Sequence, residues 1–201
     1  MAVVCIAGDS NVVSQQDSLA GGANKDLMPS KAARMLGMTH LVQEIRYFGY
    51  RGITPRQFVI SEELSSLTRI DLTLLWIGTN ELAAGGNPIE AANDVIRLAQ
   101  EIMRCSFTQH VTICSVIPRT GNLRITPEQF GLSRNVFNVE VRTLARDISN
   151  ISFHRMQGFD LVSIGEWSKD NIHPNTSVGR TLVINNFKRA MNVSVHRSNP
   201  C

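Results

Sequence analysis

Five short apolar runs, each followed by a segment long enough for a helix, restrict what this chain can fold into more than any other feature. They are 2–7 (AVVCIA), 42–48 (VQEIRYF), 70–77 (IDLTLLWI), 110–117 (HVTICSVI) and 151–155 (ISFHR). The first, third and fourth are nearly continuous rather than alternating, and they are rich in Val, Ile and Thr. Such runs suit strands covered on both faces, the condition of a parallel sheet between helical layers. Helices are expected at 30–37, 55–67, 88–105, 133–148 and 177–191, and Ser10 opens another after the first strand. Within 88–105, Ile89, Ala92, Val95, Ile96, Ala99 and Ile102 share one helical face. The stretch 118–131 carries Pro, Gly and Asn and reads as an irregular loop, while 160–167 shows no clear pattern. With right-handed crossovers, the expected fold is α/β: a three-layer α/β/α sandwich on a central five-stranded parallel sheet.

A chain of 201 residues fits one large domain of this class, expected over 1–195 with 196–201 as a tail. Its 43% hydrophobic content supplies a core, which excludes global disorder. A net charge of +3 without a Lys/Arg block, Lys188-Arg189 being the one adjacent pair, argues against a dedicated nucleic-acid binder. Cys5, Cys105, Cys114 and Cys201 have no metal-binding spacing, and Cys5 and Cys114 lie inside apolar runs. No His/Asp/Glu cluster has ligand spacing either, so neither metal nor cofactor is expected. No run has the length of a membrane span or the form of a leader. A cytoplasmic or intracellular monomer is the economical expectation, with a mature secreted chain as the alternative.

In an open parallel sheet, ligands bind beyond the carboxyl ends of the strands. Polar residues cluster at those places. Gly8-Asp9-Ser10-Asn11 follows the first strand, Gly49-Tyr50-Arg51-Gly52 the second and Gly78-Thr79-Asn80-Glu81 the third. Asp170-Asn171-Ile172-His173 precedes the last helix. Each has an ordinary structural reading, as a turn, a helix cap or a surface pair. Together they supply the parts for acyl transfer. A serine hydroxyl needs a base, which His173 can be; Asp170 can orient that imidazole. The backbone N–H groups of Ser10 and Gly52 and the side-chain amide of Asn80 can converge on an oxyanion. Tyr50 and Arg51, beside Gly52, can reach substrate. Asp9 is expected to brace its turn, and Asp160 is the rival orienting acid.

With these residues in place, the sequence resembles the SGNH (GDSL-type) hydrolase superfamily. Its four blocks match Gly8-Asp9-Ser10-Asn11, the segment Phe48 to Thr54, Ile77-Gly78-Thr79-Asn80-Glu81, and Asp170 to Asn175, in family order. The chain departs from the pattern at Glu81, where the family usually has Asp, and at Asn11 in place of Leu. In the second block Gly49 lies close to Gly52, and Thr54 two residues later favours Gly52. The resemblance implies a flavodoxin-like SGNH fold and a serine esterase acting on small esters, acetyl esters above all, of a sugar, lipid or small alcohol. It implies Ser10, Asp170 and His173 as the catalytic group and Ser10, Gly52 and Asn80 as the oxyanion hole. Two alternatives remain open: a catalytically silent binding module, or an accessory esterase domain. Domains similar to this family occur in first-open-reading-frame proteins of some non-LTR retrotransposons, and nucleic acid becomes a partner only in such a larger protein.

Overall fold

The computed structural model describes residues 2–20, 42–60, 70–106 and 108–198. In chain order these form β1 (Ala2–Gly8), α1 (Ser10–Ala20), β2 (Val42–Gly49), α2 (Pro55–Ile60), β3 (Leu72–Trp76) and α3 (Thr79–Ala83). There follow α4 (Pro88–Ser106), β4 (His110–Cys114), α5 (Pro127–Arg146), β5 (Ile151–His154), α6 (Ile164–Trp167) and α7 (Ser177–Ser198). The strands pair in parallel in the order β2-β1-β3-β4-β5. Strand order therefore reverses between β1 and β3, and the loops leaving those two strands diverge to leave a crevice.

The near-continuous apolar runs are explained by cores on both faces of the sheet. Alternate residues of β1 serve opposite layers. Val4 and Ile6 pack with Leu74, Trp76, Phe187 and Met191 on the α1/α7 side. Cys5 and Ala7 pack with Leu75, Phe58, Val95, Ile102 and Phe137 on the α2/α4/α5 side. Cys5, Cys105 and Cys114 are free thiols.

Gly8 is where β2, β1 and β3 converge. Its carbonyl accepts the Tyr50 N–H at 3.0 Å, and the neighbouring Asp9 N–H donates to the Trp76 carbonyl at 3.2 Å. A Cβ on Gly8 would stand 1.9 Å from that carbonyl oxygen, so only glycine fits.

Three expectations are corrected. Helix α5 begins at Pro127, not at 133, because Thr126 and Gln129 form a reciprocal capping box with Pro at the first helical position. Residues 127–131 are thus helix, not loop. Ile89 leaves the apolar face of α4: it is 49% exposed, because it sits in the first turn, beyond the packed residues Ala92, Val95, Ile96, Ala99 and Ile102. Helix α7 continues past 191 to Ser198, since the next chain breaker is Pro200. The helix expected at 30–37 lies outside the described residues, as does the part of 55–67 beyond Ile60. No helix among the described residues is long and apolar enough to cross a membrane.

Candidate active site

The residues that lie farthest apart in sequence meet at the carboxyl edge of the sheet. Ser10 is the first residue of α1, turned out of β1 by the tight Gly8-Asp9 junction. His173 lies in the turn that precedes α7, and its Nε2 is 3.0 Å from Ser10 Oγ. Its Nδ1 is 2.8 Å from Asp170 Oδ2. The other Asp170 oxygen accepts the backbone N–H groups of His173 (2.8 Å) and Ile172 (3.0 Å) and the Ser168 hydroxyl (2.9 Å). Partial burial would raise the Asp170 pKa, but these hydrogen bonds outweigh it and hold the carboxyl at about 2. An ionised Asp170 requires the proton on Nδ1. The Nε2 lone pair then faces the Ser10 hydroxyl, the tautomer a general base needs.

Asp160, the rival acid, is engaged elsewhere: it accepts from the Ser163 N–H at 2.7 Å and hydroxyl at 3.0 Å. The other histidines of β4 and β5 have partners of their own. His110 Nε2 is 2.9 Å from Ser152 Oγ, and His154 Nε2 is 3.3 Å from Asn186 Oδ1.

Gly52 and Asn80 come from the loops after β2 and β3. The Asn80 side-chain amide donates to the Ile53 carbonyl at 3.0 Å, which ties the third block to the residue next to Gly52 and leaves one amide hydrogen over. Gly52 has a left-handed backbone, φ 73°, and a Cβ there would meet nothing within 4 Å. Gly49 is different: a Cβ there would lie 2.7 Å from the Val13 backbone nitrogen, so it is a packing glycine against α1. The Tyr50 ring stacks edge-on to Phe58 at 5.6 Å, and Arg51 is exposed in the turn.

Three supporting residues, Asn11, Gln15 and Arg119, escaped the sequence reading. Asn11 is buried; its backbone N–H and side-chain amide both donate to Asp9 Oδ1 at 3.0 Å, and the amide also reaches Thr79 Oγ1 at 3.4 Å. Asp9 is fully buried, which pushes its pKa up, and its Oδ2 lacks a hydrogen-bond partner. Gln15 donates to the Pro174 carbonyl at 3.2 Å, joining α1 to the His173 turn. Arg119, 3% exposed, follows β4 and donates to the carbonyls of Gly121 and Asn122. Burial lowers its pKa, and the charges of Asp9 and Asp170 oppose that shift. The same loop grips the acid's turn, since the Thr120 and Gly121 N–H groups both donate to the Asn171 carbonyl at 3.1 Å. The polarity of Asn11 in a buried turn was a signal in the sequence; the interior position of Arg119 was not.

No group of three or more His, Cys, Asp or Glu among the described residues could hold a metal ion.

The fold recurs in solved structures of low sequence identity. A GDSL-like lipase from Bacteroides thetaiotaomicron superposes with a TM-score of 0.66 at 15% identity, covering 96% of this chain and 89% of the other. A carbohydrate esterase family 3 protein from Talaromyces cellulolyticus gives 0.70 at 12% identity, covering 97% and 98%. A carbohydrate acetylesterase family member from Sinorhizobium meliloti gives 0.63 at 17% identity, covering 98% of each chain. No curated protein sequence matches the chain significantly. At sequence level the model of the GDSL-like lipase/acylhydrolase family matches residues 6–178, from the core of β1 through the His173 turn. That match takes in nearly all of the sheet and every residue assembled at its edge, and the chain belongs to this family.

Proposed function

We propose that this acylhydrolase-family chain is a serine esterase that hydrolyses short-chain carboxylic esters, acetyl esters above all, through an acyl-enzyme on Ser10. One observation carries the reading: the continuous hydrogen-bonded chain from Ser10 through His173 to an ionised Asp170. Ser10 Oγ attacks the ester carbonyl while His173 Nε2 takes its proton. The tetrahedral oxyanion is held by the N–H groups of Ser10 and Gly52 and by the spare Asn80 amide hydrogen. Collapse expels the alcohol, which receives the proton from His173. Water then repeats the sequence on the acyl-enzyme, releasing the acid and restoring Ser10. Asp170 stabilises the imidazolium in both halves.

The open space around Gly52 supports its role, because the amide is reached without displacing protein. One structural neighbour, a carbohydrate acetylesterase family member, supports an acetyl group, and another, a carbohydrate esterase, supports an ester substrate. We assign contact with the alcohol part of the substrate to Tyr50 and Arg51. Residues 1–195 are read as one domain acting as a monomer.

The test is hydrolysis of p-nitrophenyl acetate, butyrate and octanoate by the parent, Ser10→Ala and His173→Ala. The parent should prefer acetate, and either variant should lose about 10³-fold or more in kcat. An inactive parent, or a fully active Ser10→Ala, overturns the assignment.

A further inference from the structure

A second concave feature lies on the same edge of the sheet, between the ends of β4 and β5 and the flank of α5. It is a cavity of about 260 Å³ whose wall includes Arg134, Arg142 and Arg155, and no Asp or Glu lines it. Strands are about 4.8 Å apart, and the order β1-β3-β4-β5 sets this cavity about 10–15 Å from Ser10. It is thus a separate site, outside the Ser10–His173–Asp170 group.

Three guanidinium groups around one small cavity repel one another unless an anion joins them. Among the described residues, none of the three takes part in an ion pair. Arg134 spends one Nη2 hydrogen on Asn135 Oδ1 at 3.0 Å, while its buried Nε–H has no acceptor. A buried, unpartnered donor on a cation is costly to leave so. Burial, followed by the like charge of Arg155, pushes the Arg134 pKa down. The neutral walls do not supply one: the Asn138 side chain is committed to both backbone groups of Val116, and the Ser115 hydroxyl accepts from Met156 N–H. Phe153, Met156 and Phe159 line the remainder and offer an apolar surface for an organic group.

We propose that this cavity is a binding site for a phosphate-bearing small molecule, held by Arg134 and Arg155 with Arg142 at the rim. Guanidinium forks match phosphate oxygens in pairs, and Arg155, exposed at the wall of the cavity, can present one beside Arg134. A phosphate monoester carries about −1.5 to −2 at neutral pH, which answers several cations where one carboxylate would not. Recognition of this kind is independent of chemistry at Ser10.

The test is calorimetric titration of the parent, Ser10→Ala, Arg134→Gln and Arg155→Gln with inorganic phosphate and phenyl phosphate, using acetate as a monoanionic control. The parent and Ser10→Ala should bind both phosphates alike, with phenyl phosphate tighter and acetate at least tenfold weaker. Each arginine variant should lose tenfold or more. Arg155 is exposed, so Arg155→Gln keeps the test valid if Arg134→Gln fails to fold. Phosphate should also raise the Tm of the parent and leave that of Arg155→Gln unmoved. Equal phosphate affinity in the parent and Arg155→Gln, no binding by the parent, or acetate binding as tightly as phosphate overturns the proposal. So does an oligonucleotide that binds tightly and is not displaced by phenyl phosphate, which would make the surface a polyanion track.

Discussion

Asp170 concentrates more interactions than any other side chain at the site, and its charge state sets what His173 can do. Asparagine is nearly isosteric there, yet its effect should be large. In Asp170→Asn the amide oxygen would still accept from Ile172, His173 and Ser168, which turns the new NH₂ toward His173 Nδ1. The imidazole then carries its proton on Nε2 and cannot receive one from Ser10. Asp170→Asn should lower kcat for p-nitrophenyl acetate by about 10³–10⁴-fold with little change in fold by circular dichroism. The stability effect has a defined pH window. A carboxyl depressed to about 2 in the folded state, against an unfolded value near 4, stabilises fully above about pH 5. That contribution fades as pH falls through 2. Urea denaturation at pH 6, 4 and 2 should show the gap between parent and variant shrinking as pH falls. A gap independent of pH would show that the Asp170 charge does not contribute to stability. At this scale the sequence was most readable in the grouping of Ser10, His173 and Asp170, which the structure brings within hydrogen-bonding distance. It was least readable at Arg119, because nothing local to Pro118-Arg119-Thr120 tells that the guanidinium turns inward beneath the acid's loop.

Helix starts are set by four residues, and one signal occurs twice here. Thr54-Pro55-Arg56-Gln57 opens α2: the Thr54 N–H donates to Gln57 Oε1 at 2.9 Å, and the Gln57 N–H returns to Thr54 Oγ1 at 3.4 Å. Thr126-Pro127-Glu128-Gln129 opens α5 in the same way, at 2.9 and 3.1 Å. Thr126→Ala removes the acceptor for one first-turn donor and should cost about 1 kcal/mol in urea denaturation, with catalysis unchanged. Thr54→Ala should cost a similar amount and also reduce kcat, because its loop carries Gly52 and the Ile53 carbonyl that holds Asn80. Comparing the two variants separates a cap that only stabilises from one that also supports the site; equal kcat in both would sink the distinction. This pair also shows why the loop expectation for 118–131 failed. Pro127 and Gly131 read as breakers, whereas Pro at the first helical position ends nothing and Gly131 meets no neighbour that its missing Cβ would have touched. The five strands, by contrast, were legible in place and order, because a strand buried on two faces leaves a run of apolar side chains. Their ends were not: β3 spans Leu72–Trp76 within the expected 70–77 and β4 stops at Cys114 rather than 117, since apolar residues continue into the loops that follow. The short α3 was not legible, because five residues after Gly78 are too few for a period to appear.

Across the whole molecule, the site is closed by contacts between the two ends of the chain, and only one of the two cores bears on them. Ser10 heads α1, while His173 leads into α7, and both helices lie on the Trp76 side of the sheet. Trp76 packs edge-on against Phe187 of α7 at 5.8 Å, and its carbonyl receives the Asp9 N–H beside Ser10. Packing under α7 therefore holds both partners of the Ser10–His173 hydrogen bond. Ile102 of α4 is equally buried but belongs to the opposite core. Phe187→Ala and Ile102→Ala should each lose about 2–5 kcal/mol, from lost transfer energy and the cavity left behind. Assayed well below the Tm of either variant, their kinetics should part. Phe187→Ala should lose about tenfold or more in kcat as α7 and the Trp76 strand end shift, a displacement of the order of 1 Å being enough. Ile102→Ala should keep kcat within about twofold, because the strands between it and the site are rigidly paired. Equal losses in the two variants would mean that stability alone governs activity and that the α7 layer has no special hold on the Ser10–His173 pair.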